Sequence, residues 1–188
     1  MIVKDAIDRR RAYRSLESVK ISDELIYDLA KSAGLSASCF NNQPWRFVFA
    51  RNPIVLQKLH GALSRGNRWA KRASMIVAVF SRKEDDCIIK NREYYHFDTG
   101  MAVAFLILRA TELGLVAHPI GGYNEDKVKA ILGIPSEIQV ITLINIGKKS
   151  DSLNDLLSED QKLTEKERPE RLPFEKYAWI DKYQKICI

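Results

Sequence analysis

Between Phe97 and Leu113 the chain carries a segment that is apolar on nearly every helical side and stops at Gly114. A helix without a polar face to turn toward water belongs in a core or in a large interface, so the remaining elements must be arranged to cover it. Two β-branched apolar runs flank it in sequence, Met75 to Phe80 and Ile138 to Ile146. Both read as buried strands. The longest unbroken apolar run, Met101 to Leu108, is cut by Arg109 and is too short to cross a bilayer. No membrane partner is expected. The residues after Met1 do not form a secretory leader, so the chain reads as cytoplasmic.

Shorter signals fill in the order of elements. Residues 3–12 predict a short helix with Ala6 and Ile7 inward. Ser22 reads as an N-cap, followed by Asp23 and Glu24 in the first turn, and by Leu25, Ile26, Leu29, Ala30 and Ala33 on one face up to Gly34. Ser36 to Pro44 is small and polar, hence a loop, and Trp45 to Ala50 reads as a strand. Asn52 and Pro53 open a helix with Leu56, Leu59 and Leu63 along one face. Residues 84–95 form a charged linker or helix start, and Pro119 to Tyr123 a glycine-containing loop. Asn124 caps a helix over Val128, Ile131 and Leu132 that Gly133 closes. This order predicts an α+β (α/β sandwich) fold with one central sheet flanked by helices. At 188 residues the expectation is a single domain over 1–188, with 148–188 as an extended tail. That tail is charged at first, then amphipathic through Leu172, Phe174, Tyr177, Trp179 and Tyr183, which suits docking onto another surface such as a second subunit.

The net charge of +6 is unevenly placed: no Asp or Glu occurs from Leu29 to Lys83, while ten Lys or Arg do. A basic field attracts anions, and phosphorylated cofactors and nucleic acid are both admitted by charge alone. A nucleic-acid module is disfavoured because Trp45, Phe47, Phe49, Tyr94 and Tyr95 lie in apolar or mixed runs and not interleaved with Arg and Lys. Cys39, Cys87 and Cys187 are odd in number and widely spaced, which argues against a disulfide framework and for three incidental thiols in a reducing compartment. His60, His96 and His118 are isolated, so no metal site is expected. No Walker loop, Gly-x-Gly-x-x-Gly or nucleophile elbow occurs.

Two blocks remain. Arg9-Arg10-Arg11-Ala12-Tyr13-Arg14 puts Arg10 and Arg14 four apart, on one face if helical and convergent from a turn if not. Paired guanidiniums grip a phosphate dianion well. Asn41-Asn42-Gln43-Pro44-Trp45 offers amides that can read the edge of a heterocycle.

Together these blocks resemble the nitroreductase family of FMN-dependent NAD(P)H oxidoreductases. Arg10 to Arg14 is similar to the family's N-terminal Arg-Arg-Ser-x-Arg motif. Asn41-x-Gln43-Pro44-Trp45 is similar to its Asn-x-Gln-Pro-Trp loop, Asp98 to Gly114 to its long central helix, and Pro119 to Tyr123 to its Pro-Ile-Glu-Gly-Phe loop. The resemblance implies a nitroreductase-like fold with a mostly antiparallel sheet, and a homodimer whose C-terminal extensions embrace the partner. FMN would be the cofactor, and NADH or NADPH would pass hydride through flavin N5, by a ping-pong scheme, to a small acceptor such as a nitroaromatic or quinone. By the same resemblance Arg10, Arg14 and Arg171 would hold the FMN phosphate with Arg11 nearby. Asn41 (from the partner subunit) and Gln43 would lie near the isoalloxazine, with Asn67 at its pyrimidine edge. Pro119, Ile120 and Gly121 would line the ring, and Gly122 would offer its N–H to N5, the candidate catalytic position. Two departures stand out: Ala12 replaces a Ser, and Gly121 replaces a Glu found in many members. Pro169 stands where some members have a second basic residue, with Arg168 beside it. A dehalogenase-like enzyme, or a flavin-binding protein without NAD(P)H turnover, is the alternative on the same scaffold.

Overall fold

The computed structural model describes residues 2–183, and Cys187 therefore lies outside the described residues. The chain opens with helix α1 (Val3–Arg9) and strand β1 (Leu16–Glu17), followed by α2 (Asp23–Gly34), β2 (Arg46–Ala50), α3 (Pro53–His60) and β3 (Met75–Ser81). A short hairpin, β4 (Ile88–Ile89) and β5 (Arg92–Glu93), precedes α4 (Tyr95–Glu112). Then come β6 (Leu115–Ile120), α5 (Glu125–Leu132), β7 (Gln139–Lys149) and α6 (Glu159–Lys166).

β7 organises the sheet. It pairs antiparallel with β3, from Met75 opposite Ile146 to Ser81 opposite Gln139, and with β6, from Leu115 opposite Lys148 to Ile120 opposite Leu143. β3 continues to β2, and β1 pairs with Lys148 and Lys149 at the far end of β7. All of these pairings are antiparallel.

Side-chain alternation along the strands sorts residues into two cores. Met75, Val77 and Val79 of β3, with Ile144 and Ile146 of β7, join Leu29 and Ala33 of α2 and Ala102, Leu106 and Ala110 of α4 on one face. Ile76 and Ala78, with Val140 and Leu143, join Leu56, Leu59, Trp69 and Val128 on the other. The sheet is thus the filling of a sandwich, as an α+β pattern demands. α4 turns Ala102, Leu106 and Ala110 inward but leaves Phe97 63% and Phe105 44% exposed. Its all-round apolarity therefore serves one core face and one open face.

The caps follow the chemistry of their residues. The Ser22 and Asn124 side chains accept from the N–H groups of Leu25 and Lys127, and Asn52 accepts from Ile54. Gly133 ends α5 at φ 68°, a left-handed position that glycine fills without Cβ strain.

Five sequence expectations need correction. α1 ends at Arg9, not Ala12, because Arg10 turns to φ −55°, ψ 120°. Ile7 is exposed. Leu63 falls beyond α3, which ends at His60, and forms an isolated bridge with Tyr123. Pro119 and Ile120 belong to β6 and not to a loop; β6 is paired to β7 along one edge, where a proline lacking its N–H is tolerated. The fifth concerns cysteine: Cys39 and Cys87 are joined in a disulfide, with Cα atoms 6.1 Å apart. Residue spacing argued against it because the partners are 48 positions apart and meet only through the fold.

Candidate functional site

The arginine block forms a turn, not a helix, and the turn is locked from behind. The buried Glu165 carboxylate of α6 accepts from the backbone N–H of Arg14 at 2.7 Å and of Ser15 at 2.9 Å. Arg11 reaches the other way and donates to the Thr164 carbonyl at 2.7 Å and the Glu167 carbonyl at 2.8 Å, at the C-terminal end of α6. Cations favour that end of a helix, where carbonyls lack intrahelical donors. Arg168 donates to the carbonyls of Asp8 and Arg10. Turn and tail therefore build each other: a carboxylate from the tail organises turn amides, and guanidiniums from both sides organise carbonyls.

The result is a pocket of about 220 Å³ lined by Arg10, Arg11, Ala12, Arg14, Thr164, Arg168, Pro169 and Arg171. Five guanidiniums and no carboxylate face it. Burial first, and then the Arg168, Arg171 and Arg11 charges, lower the Arg10 pKa from its ordinary value. Crowded like charges without a counter-ion are the expected state of an anion site. Ala12 lines this pocket, so the missing hydroxyl of that position is missing here. Thr164 does not replace it, since its hydroxyl donates to the Gln161 carbonyl and accepts from Arg14.

His118, on β6, underlies the turn. Its Nδ1 lies 3.0 Å from the Tyr13 carbonyl, and its ring packs on Trp69 at 4.5 Å between centroids. A carbonyl only accepts, so Nδ1 carries the hydrogen. Burial pushes the His118 pKa down to about 4, against the lift from the Tyr13 hydrogen bond. Asn154 ties the same region by donating to the carbonyls of Arg14 and Trp69.

The glycine segment is reached along the 3-10 stretch Arg65–Arg72, which contains Trp69. At its start, Asn67 donates through Nδ2 to the Gly122 carbonyl at 2.9 Å, and the Ser64 N–H donates to the same carbonyl at 3.0 Å. A Cβ on Gly122 would stand 2.4 Å from Ser64 Oγ and 2.6 Å from Asn67 Nδ2, so any other residue there would have to displace those two side chains. A Cβ on Gly121 would meet nothing within 4 Å. Among the described residues no acceptor takes the Gly122 N–H.

The amide loop stands apart. Phe40, Asn41 and Gln43 have φ of 47°, 60° and 50°, a left-handed run unusual for side-chain-bearing residues. Asp98 of α4, 2% exposed, accepts from the Cys39 N–H at 2.7 Å, and Ser38 Oγ accepts from the Gln43 N–H at 3.0 Å. Gln43 Nε2 donates to the Asn41 carbonyl, Asn42 Nδ2 reaches Asp86 and Cys87 Sγ, and Ser81 Oγ donates to the Pro44 carbonyl. No hydrogen bond among the described residues joins Asn41 or Gln43 to the arginine pocket or to Gly122.

The fold thus brings together Arg10, Arg11, Arg14 and Arg171, and separately Asn67 with Gly122 beside Gly121, Ile120 and Pro119. It does not bring Asn41 and Gln43 to either group within one chain. Glu165, Thr164, Asn154 and His118 were not singled out from sequence for this site. Their partners lie about a hundred or more positions away, and Glu165 sits inside a charge run that reads as solvated.

Comparison with known proteins adds the relatives. The sequence model of the nitroreductase family matches residues 60–148. A protein of Archaeoglobus fulgidus, provisionally named NADH dehydrogenase/NAD(P)H nitroreductase, is 29% identical over 177 residues, covering 89% of this chain and 94% of that one. The solved structure of an oxidoreductase containing FMN superposes with a TM-score of 0.83 at 28% identity, covering 98% of this chain and 94% of that chain. A provisionally named nitroreductase from Exiguobacterium sibiricum, solved in complex with FMN, gives a TM-score of 0.80 at 21% identity, covering 96% and 98%.

Proposed function

The chain belongs to the nitroreductase family of oxidoreductases, and on that premise we propose that it is an FMN-dependent enzyme that oxidises NAD(P)H and reduces a small acceptor such as a nitroaromatic or quinone. The observation that carries this reading is the acid-free pocket of arginines between the Arg10–Arg14 turn and the α6 tail. FMN-bearing solved relatives point to the same cofactor. Held there by the arginines, FMN would supply the hydride-transfer chemistry between nicotinamide and acceptor, in a ping-pong scheme.

The protein's own share is positioning. Arg10, Arg14 and Arg171 bind the phosphate dianion, with Arg11 and Arg168 completing the cationic wall. Glu165 and His118 hold the turn so that these guanidiniums arrive preorganised. Pro119, Ile120 and Gly121 would line the flavin ring and the Gly122 N–H would be offered to the hydride-accepting nitrogen, while Asn67 fixes the Gly122 peptide through its carbonyl. Gly121 contributes no carboxylate, so the nicotinamide side of the pocket is wider and less acidic than in members with Glu.

Asn41 and Gln43 serve the ring of a second copy. Two observations support a homodimer: among the described residues no hydrogen bond ties the Asn41 and Gln43 amides to either half-site of their own chain, and large apolar groups lie open. Phe40 is 88% exposed, Phe97 63%, Phe174 57% and Tyr177 61%.

The test compares FMN with riboflavin, which lacks the phosphate. Two or three charge-assisted contacts at about 1.5–3 kcal/mol each predict FMN binding at least about 100-fold tighter, read by flavin fluorescence quenching. Equal affinity for the two would contradict the arginine pocket as the phosphate site.

A further inference from the structure

The Cys39–Cys87 bridge joins two segments that are weakly held on their own. One is the Cys39–Gln43 turn with its left-handed residues. Such conformations cost about 1–3 kcal/mol each and persist only where surroundings enforce them. The other is the β4–β5 hairpin, whose strands are two residues long and whose turn residue Lys90 sits at φ 61°. A two-stranded hairpin of this size is not stable alone. Besides the bridge, the two segments are linked by Asn42 Nδ2, 3.3 Å from Asp86 Oδ1 and 3.4 Å from Cys87 Sγ. The Cys39 N–H to Asp98 bond anchors the turn to α4. Both cysteines are half-buried, within reach of a small thiol.

We propose that Cys39–Cys87 is a reversible thiol–disulfide site whose oxidation state sets the shape of the Asn41–Gln43 loop, and through it the grip on the flavin ring. The reaction partner is a small dithiol. Its thiolate attacks one bridge sulfur and expels the other, which takes up a proton, giving a mixed disulfide. The second thiol of the reagent then displaces the remaining protein sulfur. Two electrons and two protons pass to the bridge, leaving two cysteine thiols and an oxidised cyclic disulfide. An Asp86 carboxylate oxygen lies within 4.8 Å of both sulfurs. Once reduced, the two sulfurs no longer share a bond and cannot remain at bonding distance. The turn and hairpin then separate, and Phe40, Asn41 and Gln43 lose the constraint on their left-handed backbone. The consequence for flavin rests on the functional reading above; the loop transition does not.

The experiment uses the full-length protein after air oxidation. Native alkylation with iodoacetamide before and after dithiothreitol, read by mass spectrometry, should label Cys39 and Cys87 only after reduction. Hydrogen exchange should accelerate about tenfold or more across residues 36–45 on reduction and remain unchanged at Arg10 to Ser15. Cys39→Ser should behave as the reduced form in either condition, while Cys187→Ser should retain the response. Riboflavin and FMN affinities should both fall about 3–10-fold in the reduced form, with their ratio preserved, because the arginine pocket is elsewhere. Labelled Cys39 and Cys87 in the oxidised protein, or exchange in 36–45 that ignores dithiothreitol, would overturn the proposal. If neither form binds FMN, the functional reading fails while thiol counts and exchange still decide the switch.

Discussion

The arginine pocket and the Asn41–Gln43 loop are both built from short polar segments, yet the chain treats them in opposite ways. The pocket is completed within one chain, by a turn and a tail that satisfy each other's backbone through Glu165, Arg11 and Arg168. The loop is held in a left-handed conformation by a covalent bridge and a buried carboxylate, and among the described residues its side-chain amides bond only within the loop and to Asp86 and Cys87, not to the arginine pocket or Gly122. The difference teaches how a shared site is divided. On the proposed reading, the end that would meet a dianion is assembled within one chain from many charge-assisted contacts, and the end that would read a ring edge is a preformed loop offered to a second copy.

The comparison breaks most easily at the pocket. Arg10→Ala with Arg14→Ala removes two guanidiniums and should weaken FMN by about a thousandfold, on the order of 4 kcal/mol, while leaving riboflavin affinity nearly unchanged. Loss of both affinities together would mean that the pocket is not a separate phosphate end.

His118 gives a pH handle on the same region. Its pKa falls from 6.5 in the unfolded chain to about 4 in the fold. Below pH 6.5 the unfolded chain binds a proton that the folded chain refuses, so stability falls as pH drops from about 6.5 toward 4 and levels off below that. The full effect is about 3 kcal/mol, read from urea midpoints across that window. His118→Gln should flatten the slope. A Gln variant with an unchanged slope would assign the pH dependence to other groups.

Glycine substitutions sharpen the contrast within the ring-facing segment. Gly122→Ala meets Ser64 and Asn67 and should cost about 1–3 kcal/mol of stability, whereas Gly121→Ala should stay within about 0.5 kcal/mol. Thermal melts of the two variants compare them directly, and equal losses would contradict the close approach at Gly122.

The smallest effect lies in the loop. Phe40→Gly removes a side chain from a φ of 47° and should stabilise the protein by roughly 1 kcal/mol, while FMN selectivity over riboflavin is unchanged. A destabilised variant would show that the loop is supported by Phe40 packing and not strained.

Much of this architecture was legible in the sequence because it is local. The caps at Ser22, Asn52 and Asn124 and the left-handed stop at Gly133 rest on interactions within four residues, and the β3 and β7 runs announce themselves by composition. What escaped was long-range. Glu165 meets Arg14 and Ser15 from 150 residues away, and its signature is hidden among nine acidic residues from Gly147 onward. Cys39 and Cys87 meet only because α4, through Asp98, and the hairpin bring both to one place. Pro119 read as loop punctuation, since strand pairing along a single edge is a property of the sheet and not of the residue. The convergence of Arg10 and Arg14 was legible with a helix or a turn left open, and the structure takes the turn.

The most direct test is the visible spectrum of freshly purified protein, before and after NADH or NADPH is added under nitrogen. The account predicts flavin absorption that bleaches with at least one of the two donors and returns when a nitroaromatic or quinone is supplied. A colourless protein that also takes up no added FMN would contradict it.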